Sequence, residues 1–275
     1  MTGDPLAAAG PVWMAGRRAI VSGGGLSGSA GGVGYAVSRL FAAQGARVAV
    51  LDRDPAAGKR TVADIEADGG EAIFIQADLT RDEDCEHAVA ATAEEFGGVD
   101  ALVNSAASGD RAGVFDVTPE RWDELIALNL KTAWMMTRHA AEAMTGGGAV
   151  VNISSAAVTA AGPGTVYGIG KAGVEHFTQG AASTLGPRGI RVNCVRVGAI
   201  WSSMAARDLP EEMRELRAKG VALQTEGTGW DIAYAALFLA SDRARWVSGA
   251  VLPVDGGGPH RAGFPSRSAD AARNR

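Results

Sequence analysis

The sequence predicts an α/β fold: one domain on an open, doubly wound parallel β-sheet flanked by helices on both faces. Three observations predict it. Short apolar runs and amphipathic stretches alternate about seven times from Arg17 onward, the pattern of a parallel sheet covered by helices. The apolar runs are near-continuous, as in strands buried on both sides. A glycine cluster follows the first run, where an open sheet presents its ligand crevice; this favours the open sheet over a closed eight-stranded barrel.

The elements follow in order. The first strand lies at 19–21 and ends in the glycine cluster. A helix spans 35–44, with Val37, Leu40 and Phe41 at helical spacing. Gly45 ends it. A strand at 47–51 closes on Asp52, and a charged helix over 55–68 stops at Gly69-Gly70. A third strand at 72–75 leads to a helix ending at Phe96. A strand at 101–103, a long helix around 122–144 and a strand at 149–153 come next. The remainder is a helix over 167–185, a strand at 191–197, a helix at 230–240 and a last strand at 250–254. No composition shift interrupts this series, so residues 16–258 form one domain, with 1–15 an N-terminal extension and 259–275 a tail.

Composition narrows the function. The chain has 275 residues and a net charge of −5, and no basic stripe suits a nucleic acid. Cys85 and Cys194 are far apart, and His87, His139, His176 and His260 form no ligand-spaced pair; neither a disulfide framework nor a metal site is expected. No cationic-then-apolar leader marks the start, and no apolar run is long enough to span a bilayer. A cytoplasmic protein without a membrane partner is the expectation.

Three groups of residues carry chemistry. The loop Ser22-Gly23-Gly24-Gly25-Leu26-Ser27-Gly28 continues to Gly31-Gly32-Val33-Gly34 between a strand and a helix. Glycines there let backbone amides approach a pyrophosphate, and the helix N-terminus favours its charge. Asp52, at the end of the second strand, can accept hydrogen bonds from both hydroxyls of an adenosine ribose and would repel a 2′-phosphate. NAD(H) is therefore favoured over NADP(H), although Arg53 beside it can tolerate a phosphate. Tyr167 and Lys171, four apart, share one helix face. A phenol titrates near 10, too high for proton transfer at neutral pH. An ammonium about 4 Å away would favour the phenolate by up to roughly 4 kcal/mol.

Taken together, these motifs resemble the short-chain dehydrogenase/reductase family, in its compact single-domain branch with a Rossmann-like sheet. The resemblance covers residues 17–257. The family loop is Thr-Gly-x-x-x-Gly-x-Gly directly after the first strand. Here Ser22-Gly23 follows the strand but Gly32-x-Gly34 arrives five residues late, whereas Ser27-Gly28 has the family spacing away from the strand. The loop carries an insertion, and either Ser-Gly can be the one at the phosphate. The resemblance further implies Asp78 and Leu79 near the adenine. It makes Asn104, in Asn104-Ser105-Ala106-Ala107, a sheet brace lining the cofactor channel, and places Ile200 and Ser202 at the nicotinamide carboxamide.

The family also supplies a catalytic serine upstream of the tyrosine. The strand register over 150–153 points to Ser155, and the commonest spacing points to Ser154; Ser155 is preferred. Asn129 matches a fourth member, at a helix kink whose carbonyl holds a water beside the catalytic lysine. The implied activity is hydride transfer between NAD(H) and a carbonyl or secondary alcohol, with Tyr167 as acid/base. The lid at 201–229 pairs apolar residues with a charged side, which suits a small, partly apolar ketone or alcohol. Family members are mostly homotetramers, otherwise dimers, and Trp122, Trp134, Trp230 and Trp246 are candidates for such interfaces. A catalytically silent NAD-binding regulator and a sugar-nucleotide epimerase of related fold are the alternatives; the complete Asn, Ser, Tyr and Lys set opposes the first, the short sequence after Tyr167 the second.

Overall fold

The structure, a computed structural model, describes residues 12–258 apart from 30, 110, 111, 114 and 161–163. The N-terminal extension to residue 11, His260 and the tail at 259–275 lie outside the described residues. The elements in order are β1 (Arg18–Ser22), α1 (Val33–Ala43), β2 (Arg47–Asp52), α2 (Pro55–Ala67), β3 (Glu71–Gln76), α3 (Asp82–Phe96) and β4 (Ala101–Asn104). They continue with α4 (Pro119–Ile126), α5 (Thr132–Ala143), β5 (Gly148–Ser155), α6 (Thr165–Leu185), β6 (Ile190–Val197) and β7 (Ile200–Trp201). The last are α7 (Ser203–Asp208), α8 (Met213–Lys219), β8 (Gly227–Thr228), α9 (Gly229–Ala240) and β9 (Val251–Val254).

Among the described residues, seven strands form one parallel sheet in the order β3-β2-β1-β4-β5-β6-β9. The order reverses between β1 and β4, which opens a crevice at their C-terminal ends. Both faces of the sheet are buried, as the continuous apolar strands require. In β1, Ala19 and Val21 pack toward Val37, Phe41 and Leu237 of α1 and α9. Ile20, between them, packs with Val89, Met135 and Met136 of α3 and α5. Single strands thus feed two helical layers, consistent with period-two alternation.

Two elements differ from the sequence reading. The long helix expected at 122–144 is divided: α4 and α5 are separated by a π-helical turn at Ala127–Lys131. Asn129 at its centre donates to Leu125 O at 3.0 Å and to Ser108 O at 2.9 Å. A side chain bound to both the preceding turn and a distant loop accompanies one extra residue in the helix. The fold also begins earlier than residue 16. Met14 is buried among α1 and α9 residues, and its amide donates to Gln44 O at 3.0 Å.

Candidate active site

A cavity of about 610 Å³ occupies the crevice. It runs from Asp52 and Asp78 past the glycine loop to Tyr167, Lys171 and the first lid helix, α7. The glycine loop is shaped by close approaches. Gly23 has φ +65°, and a Cβ there would stand 2.7 Å from Ala106 Cα. A Cβ on Gly34 would stand 2.1 Å from the Gly23 carbonyl oxygen. Helix α1 starts after Gly32 with no side-chain cap, so its first-turn amides are free of a side-chain acceptor where Gly32, Val33 and Gly34 line the cavity. This arrangement fits a pyrophosphate.

Ser22 does not join it. Its hydroxyl is buried and accepts from the amides of Ser105 and Ala106 at 3.0 and 3.2 Å. It ties β1 to the loop after β4 and is not on the cavity wall, which corrects the expectation that it binds cofactor. The inserted residues lie over β2 and α2. Gly24 N donates to Leu51 O and Leu26 N to Ala57 O. Gly25 N donates to Asp52 Oδ2 at 3.0 Å. Asp52 Oδ1 accepts from Asp54 N at 3.0 Å, and the carboxylate lines the adenosine end. Asp78 accepts from the hydroxyl and amide of Thr80. The Thr80 hydroxyl, aided by its amide and by nearby Arg53 and Arg81, holds the Asp78 carboxyl below the usual range. Leu79 lines the same end.

Asn104 is a brace only. Its Nδ2 donates to Asn152 Oδ1 at 2.8 Å and Thr137 Oγ1 at 3.1 Å, and Asn152 Nδ2 donates to Thr178 Oγ1 at 2.9 Å. The network joins β4, β5, α5 and α6 beneath the cavity. The wall expected of Asn104 is made instead by residues 105–109. Ser108 in that stretch is held from both sides by Asn129, which donates to its carbonyl and accepts from its amide at 3.2 Å. Helix α6 meets the π turn at Gly170, where a Cβ would stand 3.1 Å from Asn129 Cβ.

Tyr167 and Lys171 lie on one face of α6 and both line the cavity. Ser155 lies close enough to the Tyr167 hydroxyl to favour the phenolate. Ser154 turns away: its hydroxyl donates to Glu175 Oε1 at 2.8 Å and Lys171 O at 3.2 Å. Arg196 holds Glu175 through Nε at 2.8 Å and Nη2 at 2.6 Å. The strand register thus presents Ser155, not Ser154, to the tyrosine. Lys171 shares the wall of the cavity with Tyr167, and its ammonium is anchored on the backbone. Its Nζ donates to Ile153 O at 2.9 Å and stands 5.8 Å from the Tyr167 ring centroid. Burial pushes the Tyr167 phenol above its ordinary value, against the pull of Ser155. Burial pushes Lys171 down to about 8.

Past the tyrosine, β7 and β8 pair at either end of the lid. Ile200 and Ser202 line the cavity, and Ser202 also caps α7 by accepting from Ala205 N at 3.4 Å. Three features escaped the sequence reading: Glu175, Arg196 and the contact of Ser203 with the glycine loop. Glu175 carried a usable signal, standing one turn after Lys171 on the same helix face. The other two join positions far apart in sequence.

Known proteins resemble this chain in sequence and fold. A family profile described as "Enoyl-(Acyl carrier protein) reductase" matches residues 28–258. The chain is 33% identical over 247 residues to 2,5-dichloro-2,5-cyclohexadiene-1,4-diol dehydrogenase LinX of Sphingobium indicum, covering 89% of this chain and 96% of that one. It is 37% identical over 241 residues to L-rhamnose 1-dehydrogenase (NAD(P)(+)) of Azotobacter vinelandii, covering 84% and 94%. A crystal structure from Burkholderia xenovorans, described as a short-chain dehydrogenase/reductase, superposes with TM-score 0.84 at 33% identity, covering 88% and 96%. Among the described residues, no helix is long and apolar enough to cross a membrane.

Proposed function

The chain belongs to the short-chain dehydrogenase/reductase family, and we propose that within it this protein is a cytoplasmic, NAD(H)-dependent oxidoreductase interconverting a carbonyl and a secondary alcohol. The family's enzymes are oxidoreductases that use nicotinamide cofactors, and relatives named as dehydrogenases of a diol and of a sugar share most of this chain. The observation that carries the reading is Tyr167, with Ser155 and Lys171 beside it, on the wall of a cavity continuous with the glycine loop.

The residues take these roles. Gly23, Gly32, Val33 and Gly34 hold the pyrophosphate. Asp52 accepts from the adenosine ribose hydroxyls, Asp78 and Leu79 border the adenine, and Ile200 and Ser202 border the carboxamide. The nicotinamide, when bound, supplies or accepts the hydride. Tyr167 Oη gives its proton to the substrate oxygen in reduction and takes it back in oxidation. Ser155 Oγ donates a hydrogen bond to the same oxygen. Lys171 stands behind the tyrosine, and the π turn at Asn129, packed on α6 one residue before Lys171, carries proton exchange outward. The raised phenol keeps Tyr167 protonated near neutral pH, so reduction is favoured there and oxidation gains as pH rises. The lid leaves Met204 and Leu209 on the substrate side, which suits a small, partly apolar substrate. Assembly as a homotetramer fits the part-exposed Trp122 and Trp134 on α4 and α5.

Consumption of NADH and NADPH with ketones, quinones and diketones tests the reading. NADH is consumed with at least one carbonyl, and NADPH is used less efficiently by about 10–30-fold. That factor follows from Asp52 facing each phosphate charge at about 1 kcal/mol at 4 Å in water. A preference for NADPH would overturn the assignment of Asp52. Binding of NADH with no carbonyl reduced would replace catalysis by a silent binding role.

A further inference from the structure

The five-residue insertion in the glycine loop reaches beyond the phosphate site. On one side it is fixed to β2 and α2: Gly25 N to Asp52 Oδ2, Leu26 N to Ala57 O, Thr61 Oγ1 to Gly24 O at 2.9 Å, and Arg60 to the Leu26 carbonyl. On the other side it meets the substrate lid. The amide of Ser203, first residue of α7, donates to Gly31 O at 2.8 Å. Ser27 Oγ donates to Ser203 Oγ at 3.0 Å. Ser27, Gly32 and Ser203 line one cavity, so the contact lies between its adenosine and catalytic ends, beside the α1 N-terminus.

Two features make this more than incidental contact. A first-turn helix amide has no partner in its own helix, and here the loop supplies one at the buried Gly31. Within the lid Arg214 pairs with Glu226 at 2.7 Å, and elsewhere the lid is tied to the body by Arg217 to Ile200 O at 2.9 Å and Leu223 N to Gly256 O at 3.0 Å. The edge of α7 facing the dinucleotide is thus held by the inserted loop.

We propose that Ser203 is a positioning residue through which the inserted loop latches the lid across the bound dinucleotide, slowing its release. The latch rests on the reading of the cavity as a dinucleotide site. A dinucleotide seated between Asp52 and Tyr167 leaves past this contact. Opening it frees the lid edge and the loop together. The insertion therefore sets how long the cofactor stays, without touching the reacting atoms.

Ser203→Pro tests it. Proline at the first helical position removes the donor to Gly31 without interrupting the helix, and Ser202 at φ −144° and ψ 169° already has the extended backbone that a following proline requires. Release of NADH from the loaded protein is followed by fluorescence on mixing with excess NAD⁺. Loss of one shielded backbone hydrogen bond raises the release rate about fivefold, with the association rate unchanged. A double-mutant cycle of Ser27→Ala and Ser203→Ala reads the exposed hydroxyl pair independently. Each single change raises release about twofold, and the double change adds little more. Release at the wild-type rate in Ser203→Pro, or additive effects in the cycle, overturns the latch alone. A wild-type protein that binds no NADH overturns the reading of the site itself.

Discussion

The two ends of the catalytic half of the cavity are built on different terms. Around Tyr167 the polar side chains are buried and tied to one another or to backbone: Asn129 to Ser108, Lys171 to Ile153, Ser154 to Glu175, Asn104 to Asn152. The bonds join β4, β5, α5, α6 and the π turn. In the lid, α8 has no buried residue, and Leu216 and Leu223 are 59% and 70% exposed. A buried polar group costs free energy unless every bond is made, so the first region tolerates few residue choices. An exposed lid accepts many. On the proposed function, the buried region sets the reaction class and the lid the choice of substrate.

The largest break in this comparison separates the two serines. Ser155→Ala removes a donor to the reacting oxygen and lowers turnover by about 10²–10³-fold. Ser154→Ala leaves turnover within about threefold and costs about 1 kcal/mol of stability, because Glu175 keeps Arg196. Steady-state kinetics beside denaturant unfolding distinguish them; a larger turnover loss at Ser154 would reverse the assignment.

Next is Lys171, whose burial brings it to about 8 from an ordinary 10.5. Below pH 8 the fold carries a buried ammonium. Between about 8 and 10.5 the folded protein has lost a proton that the unfolded chain still binds, so stability rises with pH. Lys171→Met is therefore inactive yet more stable than wild type at neutral pH, by up to about 3 kcal/mol. That advantage disappears by pH 10.5 in unfolding curves. An advantage that grows with pH would contradict it.

The smallest effects set network against lid. Asn152→Ala strands partners in the buried network and costs about 2 kcal/mol, a fall of about 4–8 °C in Tm. Leu216→Ala on α8 changes stability by less than about 0.5 kcal/mol. Equal melting losses would mean that the lid is as constrained as the network.

What the sequence made legible follows the same division. The strands, their glycine loop and the Tyr167–Lys171 face come from local periodicity and spacing. The kink at Asn129 was legible only through the resemblance, since an asparagine within a helix is by itself merely unfavourable. Side-chain direction was harder. Ser22 looked like a phosphate ligand, but its acceptor is taken by amides more than 80 positions later. Helical spacing placed Lys171 on the tyrosine's face without fixing its ammonium, which the Ile153 carbonyl claims. The Ser203–Gly31 bond uses backbone groups on both sides and leaves no mark in residue type. Met14 packs into the core from a segment too short to show a period.

Tyr167→Phe tests the central claim most directly, with carbonyl reduction and NADH affinity measured on the same preparation. The account predicts turnover lower by at least about 10³-fold, with NADH bound as tightly as by the wild type. Turnover equal to wild type would remove the tyrosine from the chemistry and contradict the account.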